Sequence, residues 1–256
     1  MLQPGTPPVI GVIGGSGIYE IEGLKDAEWR RIQSPFGEPS DALLFGTLNG
    51  QKMVFLPRHG TDHSIAPHRI NYRANLWALH AQGVRNVIAI STVGGITAPM
   101  VAGAMVVPDQ IIDYTHGRED TFFDGVDLPL QHVDFTVPFC IGLRHQLLKA
   151  GEGAGFELLD GAIYGATQGP RLETIAEINR MERDGSHIVG MTGMPEAVLA
   201  RELGICYAML AVVVNSAAGR GGTAKEISMI EIQAVAETAM QKVRQVIGAL
   251  AVDHGH

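Results

Sequence analysis

The sequence predicts an α/β protein built as a single domain over residues 1–256, and three observations carry that expectation. Short apolar runs of strand length recur and tend to end in glycine or a small polar residue, with stretches of helical spacing between them. Glycine reaches 32 residues, which suits many tight strand-to-helix turns. With 46% hydrophobic and 18% charged residues, the chain can bury one sizeable core.

Residues 8–13 form the first apolar run, closing on Gly14-Gly15-Ser16-Gly17. A buried strand followed by such a turn can face an anion with backbone N–H groups, and Ser16 adds a hydroxyl donor. The spacing is neither GxGxxG nor a Walker loop, which argues against a dinucleotide or nucleoside triphosphate. A plain tight turn explains the same residues equally well. Residues 42–48 and 52–56 flank Asn49-Gly50, a hairpin signal. The second of these strands ends in Pro57-Arg58-His59-Gly60-Thr61. There Arg58, His59 and the Thr61 hydroxyl could clamp a phosphate, with Arg58 contributing a bidentate contact. For any one of them a solvated turn is the plainer reading.

Residues 70–79 have helical spacing, with Ile70, Ala74, Trp77 and Ala78 on one face and Gly83 as the stop. Residues 86–90 read as a buried strand ending in Ser91-Thr92-Val93-Gly94-Gly95. Residues 103–114 read as strands broken at Pro108, and 115–130 as a long aperiodic loop of the kind that is functional or contacts a partner. Residues 132–139 are expected to be extended, a helix to follow over about 142–150, and further strand over 157–167.

The stretch 168–219 concentrates polar groups at strand ends. It holds a turn opening a helix (Gly169-Pro170-Arg171-Leu172-Glu173), a short strand over 188–192 ending in Met191-Thr192, and a long apolar strand over 207–214 running into Asn215. Ligands of open α/β sheets bind beyond the carboxyl ends of strands. Singly, these are a first-turn Glu, a strand-end Thr and a turn Asn; their succession is what points to a site. The tail over 227–250 reads as one amphipathic helix, with Ile227, Ile230, Ala234, Val235, Thr238, Val243, Val246, Ile247 and Leu250 in register.

The net charge of −8, without a basic run, argues against nucleic acid or an anionic membrane surface as partner. No stretch reaches the roughly 18 apolar residues of a membrane span, and the N-terminus lacks the pattern of a signal peptide. Cys140 and Cys206 show neither metal spacing nor a partner pattern, so a reduced, cytoplasmic protein is expected.

Taken together, the motifs resemble the trimeric purine nucleoside phosphorylase and methylthioadenosine phosphorylase family over nearly the whole length. They are Gly14-Gly15-Ser16-Gly17, Arg58-His59-Gly60-x-x-His63 with Pro67, Asn71-Tyr72 and Asn75, and Ser91-Thr92-Val93-Gly94-Gly95-Ile96. Phe122-x-Asp124-Gly125, Pro138-Phe139-Cys140, Gly169-Pro170-Arg171-x-Glu173-Thr174-x-Ala176-Glu177 and Met191-Thr192-x-Met194-Pro195-Glu196 complete the set. Each alone is modest; the ordered set is specific. The resemblance implies a central mixed, partly barrel-like sheet flanked by helices, in a homotrimer with sites near subunit boundaries. It implies phosphorolysis of a purine nucleoside with no metal or cofactor, inorganic phosphate being a co-substrate. Carried over position by position, Ser16, Arg58, His59, Ser91, Thr92 and Thr192 would hold phosphate, Met191 would pack on ribose, and His132 would reach the neighbouring subunit's site.

The base pocket departs from the methylthioadenosine branch, which carries Asp at the positions of Asn215 and Ala217; Ser216 lies between them. A 6-oxopurine presents an acceptor at O6 and a donor at N1, the inverse of a 6-aminopurine. Asn215 can donate to O6 while its oxygen holds a hydrogen on N7, and Glu173 can accept from N1–H. These two residues are the expected catalytic pair. Unpaired polar groups cost about 1–3 kcal/mol each, enough for discrimination of 10² or more. At the 5′ end no His matches that of the inosine/guanosine branch, and Met229 could pack on a methylthio group, with Ser228 as a rival position and a helix core as the plain alternative. The expected activity is phosphorolysis of S-methyl-5′-thioinosine. The alternatives are a general 6-oxopurine nucleoside phosphorylase, a methylthioadenosine phosphorylase, and a non-catalytic binder of nucleosides or sugar phosphates.

Overall fold

The computed structural model describes residues 8–15, 17–18, 21–126, 128–221 and 229–252. Ser16, Ile227 and Ser228 lie outside the described residues. Among the described residues, eleven strands form one mixed sheet. Its spine is β5 (Val84–Gly95), flanked on one edge by β11 (Cys206–Ser216) in parallel along most of its length. The other edge is shared. β1 (Val9–Gly14) runs parallel to the first half, up to Ile13 opposite Ala89. β10 (Ile188–Gly190) runs antiparallel to the end, with Val189 opposite Gly94. Residues 90–93 of β5 therefore have no strand on that edge, and the carboxyl ends of β1 and β10 approach this gap from opposite sides.

Outward from β1 lie β4 (Gln51–Pro57), β3 (Leu43–Leu48) and β2 (Lys25–Arg30). The β3–β4 turn is the expected hairpin, with both Asn49 and Gly50 at positive φ. Outward from β10 lie β9 (Ile163–Ala166) and β7 (Gln110–Asp113), while β6 (Met105–Val107) joins β11 and carries β8 (Leu159–Asp160). Along β11, Tyr207, Met209, Ala211 and Val213 enter one core layer and Ala208, Leu210, Val212 and Val214 the other. A sheet covered on both faces produces this uninterrupted apolar run. The first layer packs α1 (Tyr72–Ala81) and α4 (Gly193–Glu202); the second packs α2 (Ile141–Gly153) and α5 (Met229–Val252).

Several expectations are corrected. The strand expected over 86–90 continues to Gly95, because β10 and β11 pair its glycines; a Cβ at Gly95 would stand 1.8 Å from the Met100 carbonyl oxygen. Residues 132–139 form no strand; side chains take backbone groups there, Gln110 donating to the Thr136 carbonyl, Arg201 to the Val137 carbonyl, and the Thr136 N–H donating to Asp134. The helix α3 (Ile175–Arg183) starts at N-cap Thr174 with a Thr174–Glu177 capping box, so Glu173 precedes the helix and Glu177 is its first-turn acid. The edge strand β2 and the helix α4 carry no period that marks them in sequence. On α5 the expected apolar stripe holds only toward the C-terminal end: Ile230 is 84% exposed, whereas Val243, Val246, Ile247 and Leu250 are buried.

The cysteines are not free. Cys140, the N-cap of α2, and Cys206, the first residue of β11, form a disulfide with Cα atoms 5.2 Å apart, beside a Cys140 N–H to Tyr207 carbonyl hydrogen bond. Sixty-six residues separate them in sequence, so only the packing of α2 against β11 reveals the pair. With the two cysteines joined, they give no ground for a reducing compartment. Among the described residues no helix is long and apolar enough to cross a membrane.

Candidate active site

A cavity of about 1170 Å³ opens at the gap on β5. The gap is closed from behind by Arg58, just past the end of β4. Its backbone N–H donates to Gly14 and its Nη1 to the Ile90 carbonyl at 2.8 Å, filling the missing strand position. Nε and Nη2 grip the two oxygens of Glu196 on α4 at 2.7 and 2.8 Å, and the Tyr207 hydroxyl donates to the same carboxylate at 2.9 Å. Arg58 is 2% exposed and Glu196 0%. Burial opposes the guanidinium charge, but Glu196 outweighs it, and the Arg58 pKa lies above its ordinary value. The fork expected to clamp phosphate is thus engaged by Glu196. The Arg58 edge still borders the cavity, but as a buried cation and not as a free bidentate clamp.

His59 borders the same cavity and donates from Nδ1 to the Ile65 carbonyl at 2.8 Å, leaving Nε2 as an acceptor. Burial, followed by the charge of Arg58, lowers its pKa to about 4, so the ring is neutral near pH 7. His63 stacks on it at 4.9 Å. Thr61 does not join the set: its N–H and hydroxyl both donate to Asp41. On β5, the Ser91 hydroxyl lies 3.1 Å from that of Thr192, and Thr92 also faces the cavity. Thr192 is the N-cap residue of α4, yet its side chain makes no cap hydrogen bond. Instead the Tyr164 hydroxyl accepts from the backbone N–H groups of Thr192 and Gly193, leaving the Thr192 hydroxyl to the cavity. Hydroxyls and a buried cation converge here, an arrangement suited to an anion.

Glu173, Met191, Asn215 and Ala217 line the same cavity. Glu173 Oε1 accepts from the Thr167 hydroxyl at 2.6 Å. Asn215 Nδ2 donates to the Ser216 carbonyl at 2.7 Å. A register shift between Val213 and Asn215 turns the amide at the end of β11. Gly169, at φ 58°, leaves room for Met191, whose sulfur a Cβ there would meet at 2.5 Å. Met229 borders the cavity from the start of α5 and is 64% exposed. Ser216 and His132 do not line it; His132 is exposed.

Sequence reasoning missed Glu196 as the partner of Arg58, and it missed a polar face of α5. Gln233, Glu237, Gln241 and Arg244 line the cavity, and Arg244 donates to the Gly17 carbonyl at 2.7 Å. Their spacing of four, four and three residues is the signal in the sequence, a polar face beside the apolar stripe.

Residues 9–251 match the family model described as the phosphorylase superfamily. The chain belongs to that superfamily. It is 48% identical over 242 residues to a protein of Xanthomonas campestris named probable S-methyl-5′-thioinosine phosphorylase, covering 94% of this chain and 96% of the relative. It is 44% identical over 220 residues to the 6-oxopurine nucleoside phosphorylase of Pyrococcus furiosus, covering 84% and 82%. Among solved structures, a methylthioadenosine phosphorylase from an antarctic soil metagenomic library superposes with a TM-score of 0.89 at 35% identity, covering 95% of this chain and 85% of the other. The methylthioadenosine phosphorylase of Schistosoma mansoni bound to tubercidin gives 0.87 at 30%, covering 97% and 92%. The mixed sheet between two helical layers is the nucleoside phosphorylase fold.

Proposed function

We propose that this enzyme cleaves S-methyl-5′-thioinosine by phosphorolysis, releasing hypoxanthine and 5-methylthioribose 1-phosphate. The observation that carries this is Asn215 and Glu173 bordering one cavity, with Ala217 in place of a second acid. Asn215 keeps one amide hydrogen and its oxygen for a base, and Glu173 keeps Oε2. That set suits O6, N7–H and N1–H of a 6-oxopurine. Against adenine, Glu173 would put acceptor against the N1 lone pair.

A phosphate oxygen attacks C1′ as the C1′–N9 bond breaks; the base leaves with its electron pair and takes up at N7 the proton that hydrogenphosphate gives up on becoming the sugar phosphate, with the Asn215 oxygen accepting from N7–H. Phosphate is held by Ser91, Thr92, Thr192 and the edge of Arg58, while His59, whose Nε2 is an acceptor, meets it only through a P–OH group. Its negative charge stabilises the cationic sugar, so positioning and electrostatics provide much of the catalysis. The reaction needs no side-chain nucleophile and no cofactor beyond phosphate as co-substrate. The role of Ser16 rests on the Gly-rich motif alone. His132 and the loop over 115–130 would complete a neighbour's site, making the unit a homotrimer; light scattering that finds a fully active monomer would remove this part. The cytoplasm is proposed on the strength of the substrates alone.

A general 6-oxopurine nucleoside phosphorylase is the second reading. The exposure of Met229 and the polar face of α5 favour it, because neither makes a closed apolar pocket for a methylthio group. The test is turnover of methylthioinosine, methylthioadenosine, inosine and guanosine, each with and without phosphate. Preference for methylthioadenosine, or turnover without phosphate, would overturn the proposal; equal use of inosine would select the second reading.

A further inference from the structure

We infer that Arg118 is a positioning residue that fixes the width of the nucleoside end of the cavity. The inference rests on the phosphorylase reading of the cavity, and it concerns a residue that stands behind the wall and does not line it. Arg118 comes from the long loop over 115–130, which the sequence marks as functional or in contact with a partner. Strands β9 and β10 pair in parallel as far as Ala166 opposite Gly190, with a last hydrogen bond from Thr167 N–H to the Gly190 carbonyl at 2.8 Å. Beyond it the two chains separate, β9 toward Glu173 and β10 toward Met191 and Thr192.

The guanidinium sits between the parting chains. Nη2 donates to the Thr167 and Gln168 carbonyls at 3.2 and 2.8 Å, and Nε to the Gln168 side-chain oxygen at 3.1 Å. Nη1 donates to the Met191 carbonyl at 2.9 Å and to the Met194 carbonyl. One planar fork thus replaces the ladder that the diverging strands no longer supply. The same Thr167 holds Glu173 through its hydroxyl, and Met191 and Thr192 line the opposite wall. The Arg118 fork is therefore linked to the base-recognising carboxylate on one side and to the ribose- and phosphate-facing residues on the other. Lysine offers a point charge in place of a fork and cannot reach both edges together. A displacement of about 1 Å at such an edge can cost on the order of 10²-fold in rate.

The test compares Arg118→Lys, Arg118→Ala and Thr167→Val with wild type, using whichever purine nucleoside wild type cleaves best. Nucleoside and phosphate are varied separately, and thermal unfolding is followed in parallel. In both Arg118 variants the nucleoside KM should rise about tenfold or more, with the phosphate KM within about threefold, because most of the phosphate set lies on β5 and after β4. Methylguanidine should restore part of the Ala variant's activity. Thr167→Val should reduce the preference for 6-oxo over 6-amino substrates without the full loss. A folded Lys variant with wild-type KM values overturns the inference, as does an equal rise in both KM values with no rescue. If neither Arg118 variant folds, Gln168→Leu, which removes the side-chain oxygen that Arg118 Nε meets, decides: an unchanged nucleoside KM overturns it. Failure of the functional proposal would appear in wild type alone, as a different preferred nucleoside or none.

Discussion

Arg58 and Glu196 meet through two parallel hydrogen bonds, at 2.7 and 2.8 Å, inside a core where both side chains are almost fully buried. The pair joins the end of β4 to α4 across the gap in the sheet, so an ion pair borders the cavity there. Removing one partner of a buried pair leaves the other charge uncompensated, at a cost of about 3–5 kcal/mol. Glu196→Gln should therefore lower the thermal unfolding midpoint by several degrees and raise the phosphate KM, because Arg58 loses its fixed direction. Arg58→Ala should do both more strongly. Calorimetry and phosphate-saturation kinetics check this, and an unchanged midpoint with unchanged phosphate KM would place the anion elsewhere.

His59 gives a pH signature. Its folded pKa of about 4 lies below the ordinary 6.5, so between these values the unfolded chain binds the extra proton and the folded chain does not. Stability from this group is fully present above about pH 6.5 and is lost as pH falls toward 4, by at most about 3 kcal/mol. His59→Gln should flatten that part of the stability profile. Chemical denaturation between pH 4 and 7 is the measurement; a parallel decline in both proteins assigns the acid sensitivity to other groups.

Ser91 and Thr192 hold their hydroxyls 3.1 Å apart. If both donate to phosphate, Ser91→Ala or Thr192→Val should each lower kcat/KM for phosphate by about 10- to 150-fold, the range of a hydrogen bond to a charged group. The double variant should lose less than the product of the two, since the residues touch. Losses that multiply cleanly would mean separate roles.

Asn215→Asp should weaken 6-oxopurine use, because a carboxylate opposite O6 sets acceptor against acceptor. It should improve 6-aminopurine use once Glu173 and Ala217 are also changed, since residues sharing one ligand are rarely additive. Competition between methylthioinosine and methylthioadenosine reads this directly, and a variant with unaltered preference would clear Asn215 of base recognition.

Met229→Ser should narrow any preference for methylthioinosine over inosine, with about 1–3 kcal/mol, or roughly 10- to 200-fold, at stake if the methyl and sulfur are buried against it. An unchanged ratio would assign the 5′ end to the polar face of α5.

Much of the fold was legible along the chain because its signals are local. Asn49-Gly50 dictates a hairpin through positive φ, and the unbroken apolar run over 207–214 dictates a strand covered on both faces. Of the residues singled out along the chain, Arg58, His59, Ser91, Thr92, Glu173, Met191, Thr192, Asn215 and Ala217 all border one cavity.

What the residues determined alone was their chemical type and their place on strand or turn. Only the tertiary structure decided which groups were already engaged. Arg58 reads as a free clamp until Glu196, 138 residues away, arrives on α4. Cys140 and Cys206 read as unpaired thiols until α2 packs against β11. Arg118 reads as loop until two diverging strands present their carbonyls to it. Hydrogen bonds and ion pairs are contacts a few ångströms long, and sequence spacing carries no record of them between residues that only folding brings together.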